Sequence, residues 1–264
     1  MIPGEDDDAI VILAHGSPDP RHAAAVEAIT GRVRQIVGAR AVHTAYLDHH
    51  GPSATEVAAV ATGGVLTPLL LTRATHIRDD VPVAARDMDD LGRGRYVVAG
   101  ALGPDEQLFR ACEELLARSG WAARPETAVV LFAGGSSARE AISAIGDSAQ
   151  QRASRGWGPW TVAALAGGEP VDVVVGRLRA DPAVGQVVVV SYMVADGILR
   201  DRMLAACDEL GVPMAAGTLG DTDLLAQLLV RRADEALRVD RSQEPGSDPH
   251  VVATSRRSGD SSSS

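Results

Sequence analysis

Ile10-Val11-Ile12-Leu13-Ala14-His15-Gly16-Ser17 is an apolar run that ends in a small-residue loop. It returns as Val129-Val130-Leu131-Phe132-Ala133-Gly134-Gly135-Ser136, with Gly134 where the first copy has His15. Two more markers recur in the same order. Ala99-Gly100-Ala101-Leu102-Gly103 matches Ala216-Gly217-Thr218-Leu219-Gly220, and Arg73-Ala74-Thr75-His76-Ile77-Arg78-Asp79-Asp80 matches Val194-Ala195-Asp196-Gly197-Ile198-Leu199-Arg200-Asp201. In the last pair a histidine again faces a glycine. Three markers at a nearly constant spacing of about 120 residues argue for duplication, and a period this long means duplicated domains rather than a solenoid. A chain that keeps the reactive side chain in one copy keeps its chemistry in that half.

The chain of 264 residues suits two domains of ordinary size. A Gly-Trp and a Pro interrupt the pattern near 120–126, so the expected division is an acidic segment over 1–8, a reactive half over 9–122, a degenerate half over 123–238 and a tail over 239–264. From about Asp240 the residues Ser, Pro, Gly, Asp and Arg dominate, and such a tail buries too little apolar surface to order itself.

The chain is 45% hydrophobic and only 3% aromatic, which calls for cores of Ala, Val and Leu, as in sheets covered by helices. A net charge of -10 argues against nucleic acid as a partner, although a local Arg cluster can still hold an anionic ligand. Cys112 and Cys207 lie in predicted amphipathic helices at positions the repeat does not relate, and read as small buried hydrophobes. The acidic start, without a positively charged region, is not expected to act as a signal peptide, and no apolar stretch approaches the length of a membrane span. A cytoplasmic protein without a membrane partner is the expectation.

Short β-branched runs predict strands at 9–14, 41–47, 65–71 and 95–99 in the first half, and at 127–132, 160–165, 186–191 and 212–216 in the second. Between them lie helices such as Arg21 to Val37, with Ala25, Ile29, Val33 and Ile36 at helical spacing. This alternation predicts an α/β fold of two tandem doubly wound parallel sheets. In such a sheet all carboxyl ends of strands share one rim, and ligands bind where strand order reverses. With the order 2-1-3-4, His15 and His76 face each other across that crevice.

Gly16 allows close backbone approach, and Ser17 or Asp19 is suited to capping the helix that begins near Pro20. The helix end favours an anion, and Arg21, Arg73 and Arg78 are candidate partners for carboxylates or phosphates. His43 in a strand and His22 in the first turn of a helix are explained by packing and exposure. Asp48-His49-His50 reads as a solvated loop, with a metal-binding element as the alternative.

His15-Gly16-Ser17-Pro18-Asp19-Pro20-Arg21 together with His76-Ile77-Arg78-Asp79-Asp80-Val81-Pro82 resembles the class II tetrapyrrole chelatases, the sirohydrochlorin cobaltochelatase and ferrochelatase family. The resemblance covers residues of about 9 to 238 as a two-domain form. It implies ATP-independent insertion of Fe²⁺ or Co²⁺ into sirohydrochlorin, a carboxylate-fringed tetrapyrrole, with the metal as substrate and no organic cofactor. His15 and His76 would bind the metal and accept the pyrrole protons. Gly16, Ser17, Arg21, Arg73 and Arg78 would contact the substrate, with both cleft walls in one chain. Two features depart from the family: Asp48-His49-His50 stands where a glutamate is more usual, leaving Asp48 and Glu56 without an assigned role, and Leu71-Thr72-Arg73-Ala74-Thr75 is more polar than the usual stretch. A cytoplasmic metal or tetrapyrrole carrier is the rival from another class, and a metallophosphoesterase, which needs a denser Asp/His cluster, is the third.

Overall fold

The computed structural model describes residues 9–72, 79–91, 94–135, 139–150 and 155–243. Among the described residues, seven strands form two parallel sheets. The first contains β1 (Ile10–Ala14), β2 (Val42–Tyr46), β3 (Gly64–Pro68) and β4 (Tyr96–Val98), in the order β2-β1-β3-β4. The second contains β5 (Thr127–Ala133), β6 (Trp160–Ala164) and β7 (Gln186–Tyr192), in the order β6-β5-β7. Every residue of β1 and β5 is buried. That is why both read as unbroken apolar runs: a central parallel strand is covered on both faces.

The helices are α1 (Pro20–Val37), α2 (Ala54–Ala58), α3 (Asp80–Asp90), α4 (Glu106–Arg118), α5 (Arg139–Gln150), α6 (Val171–Ala180), α7 (Ile198–Glu209) and α8 (Asp223–Gln243). One face of the first sheet packs on α2 and α3 through Val57, Val81 and Met88. One face of the second packs on α6 and α7 through Val174, Leu178 and Met203. The two remaining sheet faces share a single core, to which α1, α4, α5 and α8 contribute Ile29, Phe109, Ile145 and Leu229.

Within that shared core the halves exchange their last helices. The helix α4, which ends the first half, packs on β7 of the second sheet, whereas α8 packs on α1, β3 and β4 of the first. Polar ties follow the same exchange. Asp105 caps α4 by accepting from the Gln107 amide at 2.9 Å, and it accepts from Arg231 and Arg232 of α8, each at 2.8 Å. Arg40 pairs with Asp234 at 2.7 Å and Arg95 with Asp240 at 2.6 Å.

Three expectations are corrected. The strand expected at 212–216 is reduced to one bridge between Met214 and Val189, beside Pro213, which has no amide hydrogen to extend a ladder. The buried stripe of α1 is Val26, Ile29, Thr30 and Val33, with Ile36 exposed, because the sheet-facing line runs one position away from Ala25. Residues 239–243, expected in the tail, belong to α8, which continues to Gln243 with Asp240 tied to Arg95, and the rest of the expected tail lies outside the described residues. No helix among the described residues is long and apolar enough to cross a membrane.

Candidate active site

The loops after β1, β3, β5 and β7 converge on a cleft of about 400 Å³ between the halves. His15, Gly16, Ser17 and His22 form one side with Leu69 to Thr72, and Gly134, Met193 to Gly197 and Arg200 belong to the other. His15 is partly exposed at the end of β1. It also borders a second cavity of about 440 Å³, with Asp48, Asp80 and Asp87 in its lining. His76, Arg73 and Arg78 lie outside the described residues, so of the expected histidine pair the structure places only His15.

The backbone of the His15 loop is fixed by a close approach. Gly16 has a φ of 95°, and a Cβ there would lie 1.8 Å from the carbonyl oxygen of Asp48. Only glycine fits, and the next loop of the sheet is thereby pressed against the first. Gly135 repeats the arrangement with a φ of 107° and Ala166 O at 2.3 Å from its built Cβ. The same register links Leu47 N to Ala14 O at 3.0 Å and Leu165 N to Ala133 O at 3.1 Å. The two loops are therefore equivalent in space, with Gly134 in the place of His15.

That place is filled in the second half. A Cβ on Gly134 would meet Met193 Sδ at 3.1 Å and Leu199 Cδ1 at 3.4 Å. Gly197, with a φ of 154°, lies over Asp19 of the first half. The second half has thus used both glycine positions for packing. Its wall of the cleft is largely apolar.

Asp19 is the N-cap of α1 and accepts from the Arg21 amide at 3.0 Å, while its own amide donates to Ser17 Oγ at 3.2 Å. The Arg21 guanidinium reaches Asp19 Oδ2 and, across the junction, Asp201 Oδ2 of α7, both at 2.6 Å. Arg21 is accordingly a clasp between the halves and does not line the cleft. Its hydrogen bonds hold the carboxyls of Asp19 and Asp201 below their ordinary range, and Asp201 and Asp19 in turn raise the pKa of Arg21.

Two cleft residues escaped the sequence reading. Arg200, only 12% exposed, pairs with Asp196 at 3.1 Å and donates to Gly217 O. It stands beside Asp201 in the very segment that revealed the repeat, and that neighbourhood was the available signal. His22, expected to be explained by packing and exposure, lines the cleft. Burial, then the neighbouring His50 and His15, lower its pKa. Glu56 is spent on a capping box with Ser53, whose amide and hydroxyl hold its carboxyl below the ordinary value. Asp48 accepts from the His49 amide at 2.7 Å. Among the described residues no three His, Cys, Asp or Glu side chains form a group able to hold a metal.

The sequence model of the CbiX family matches residues 9–119. No curated protein sequence matches the chain. Among solved structures, SirB from Bacillus subtilis with Fe³⁺ superposes with a TM-score of 0.75 at 18% identity, covering 90% of this chain and 98% of that one. The sirohydrochlorin chelatase SirB from Bacillus subtilis subspecies spizizenii in complex with cobalt gives 0.70 at 19% identity, with the same coverage. CbiX, described as the terminal enzyme for biosynthesis of siroheme in denitrifying bacteria, gives 0.63 at 19% identity, covering 86% of this chain and 99% of that one. At these identities the structures establish a shared fold.

Proposed function

We propose, from the match of residues 9–119 to the CbiX family model, that this chain inserts a divalent metal, Fe²⁺ or Co²⁺, into sirohydrochlorin without ATP. The observation that carries the proposal is His15 on a glycine-fixed loop at the head of a cleft whose opposite wall is largely apolar. A flat macrocycle needs such a wall for one face and a ligand for its metal at the other. One chain supplies both walls, and the reaction belongs in the cytoplasm.

In this mechanism a neutral imidazole of His15, with His76 as the second by sequence position, binds the incoming cation. The tetrapyrrole loses two N–H protons as the metal enters. The imidazoles that release the metal are then free to accept those protons, because an unperturbed pKa of about 6.5 lets histidine serve as ligand and base near neutrality. Arg200 meets a substrate carboxylate at the cleft wall, as do Arg73 and Arg78 by sequence position. Gly16 and Ser17 shape the loop around His15. Arg21 acts through the clasp that sets the distance between the walls.

Mixing the full chain with sirohydrochlorin and Fe²⁺ or Co²⁺, and following the absorption spectrum, tests the proposal. Many turnovers per chain support the enzyme. A spectral change that stops at one equivalent identifies a carrier instead.

A further inference from the structure

His22 stands in the wrong place for a packing residue. It lines the same cleft as His15. Its Nδ1 is buried and finds no hydrogen-bond partner among the described residues. Buried ring nitrogens that serve only structure are normally satisfied, so an unsatisfied one calls for a reason. The residue also sits in the first turn of α1, where the positive end of the helix disfavours an imidazolium.

We propose that His22 is a metal-docking ligand, sharing the incoming divalent cation with His15 before the cation passes to the tetrapyrrole. The proposal rests on the role given to His15 above. Two imidazoles hold a first-row cation while leaving its other positions to water, whereas a closed set of three or four protein ligands would retain it. A chelatase must surrender its metal on every turnover. A pair at a time is therefore the useful number: His22 with His15 at docking, then His15 with His76, by sequence position, at insertion. The ring of His50 lies 5.4 Å from that of Tyr46, and its Nε2 is buried without a partner among the described residues.

The test is a calorimetric titration of the full chain with Co²⁺ alone, paired with the KM for Co²⁺ in the insertion assay. The variants are His22→Ala and His22→Asn, with His43→Gln in β2 as the control. Removing a direct ligand costs at least as much as removing a ligand's supporting partner, so Co²⁺ affinity falls about tenfold or more and KM rises in step. The control keeps both values. Should His22→Ala fail to fold, His22→Asn carries the test. Wild-type Co²⁺ affinity and KM in a folded His22→Asn, alongside lost binding in His15→Ala, overturn the docking role and leave the proposed function standing. Wild-type Co²⁺ binding in His15→Ala would overturn both.

Discussion

Gly16 lies so close to Asp48 that a Cβ on the glycine would fall 1.8 Å from the Asp48 carbonyl oxygen. This contact, made at a φ of 95°, locks the loop that carries His15 to the loop after β2. Gly16→Ala therefore combines a strained backbone with a direct clash, at a cost of about 2 kcal/mol or more. Urea unfolding measures the loss, and insertion falls with it. A variant as stable and active as wild type would show that the loop tolerates displacement.

The second half offers a complementary substitution. Gly134→His places a side chain where Met193 Sδ lies 3.1 Å from the Cβ position, and its loop lacks the Pro-Asp-Pro-Arg continuation that follows Ser17. We expect no second insertion site and no additional equivalent of bound Co²⁺. New activity from this one change would mean that the second half is a dormant site rather than a wall.

The Arg21 clasp gives a pH dependence. Asp19 and Asp201 both have folded pKa values depressed below the ordinary 3.8. Their contribution to stability is complete above that unfolded value and is lost as pH falls below it, through the folded values. Asp201→Asn should thus lower the melting temperature between pH 5 and 7, by an amount reduced at high salt because the pair is exposed. At a pH below the folded pKa of Asp201, where its carboxyl is protonated, the two melting temperatures should converge. A difference that grows toward acid pH would contradict the clasp.

Exchange of the terminal helices makes Asp105 a joint between halves. Asp105→Ala removes the cap of α4 and the partner of Arg231 and Arg232. The expected cost is about 2 kcal/mol, roughly half from the cap and half from the charged hydrogen bonds. Chemical unfolding followed by probes in each half should remain a single transition at lower denaturant. A shift confined to one half would show that the shared core does not couple them.

Much of this architecture was legible in the chain because a parallel sheet writes itself as apolar runs. The runs at β1 and β5 announced two central strands, and Gly16 with Gly135 announced two tight loops. The bridge at Met214 was hidden because Val212 to Ala216 carries the composition of a strand while Pro213 limits its pairing. Arg21 looked like an anion site for the same reason that it serves as a clasp, since a guanidinium near a helix start suits any carboxylate, including Asp19 and Asp201. The exchange of α4 and α8 was invisible, because helical spacing tells which face is buried and not which sheet buries it. His22 was read as a matter of packing and exposure for a related reason: a first-turn histidine says nothing of the cleft it faces until the other half is in place.

The central claim is that His15 carries metal insertion in the first half alone. The most direct measurement is the initial rate of Co²⁺ insertion into sirohydrochlorin by His15→Ala, with its fold checked by circular dichroism and His76→Ala run beside it. The account predicts unchanged folding and a rate reduced to the uncatalysed background in each variant. Wild-type rates in both would contradict it.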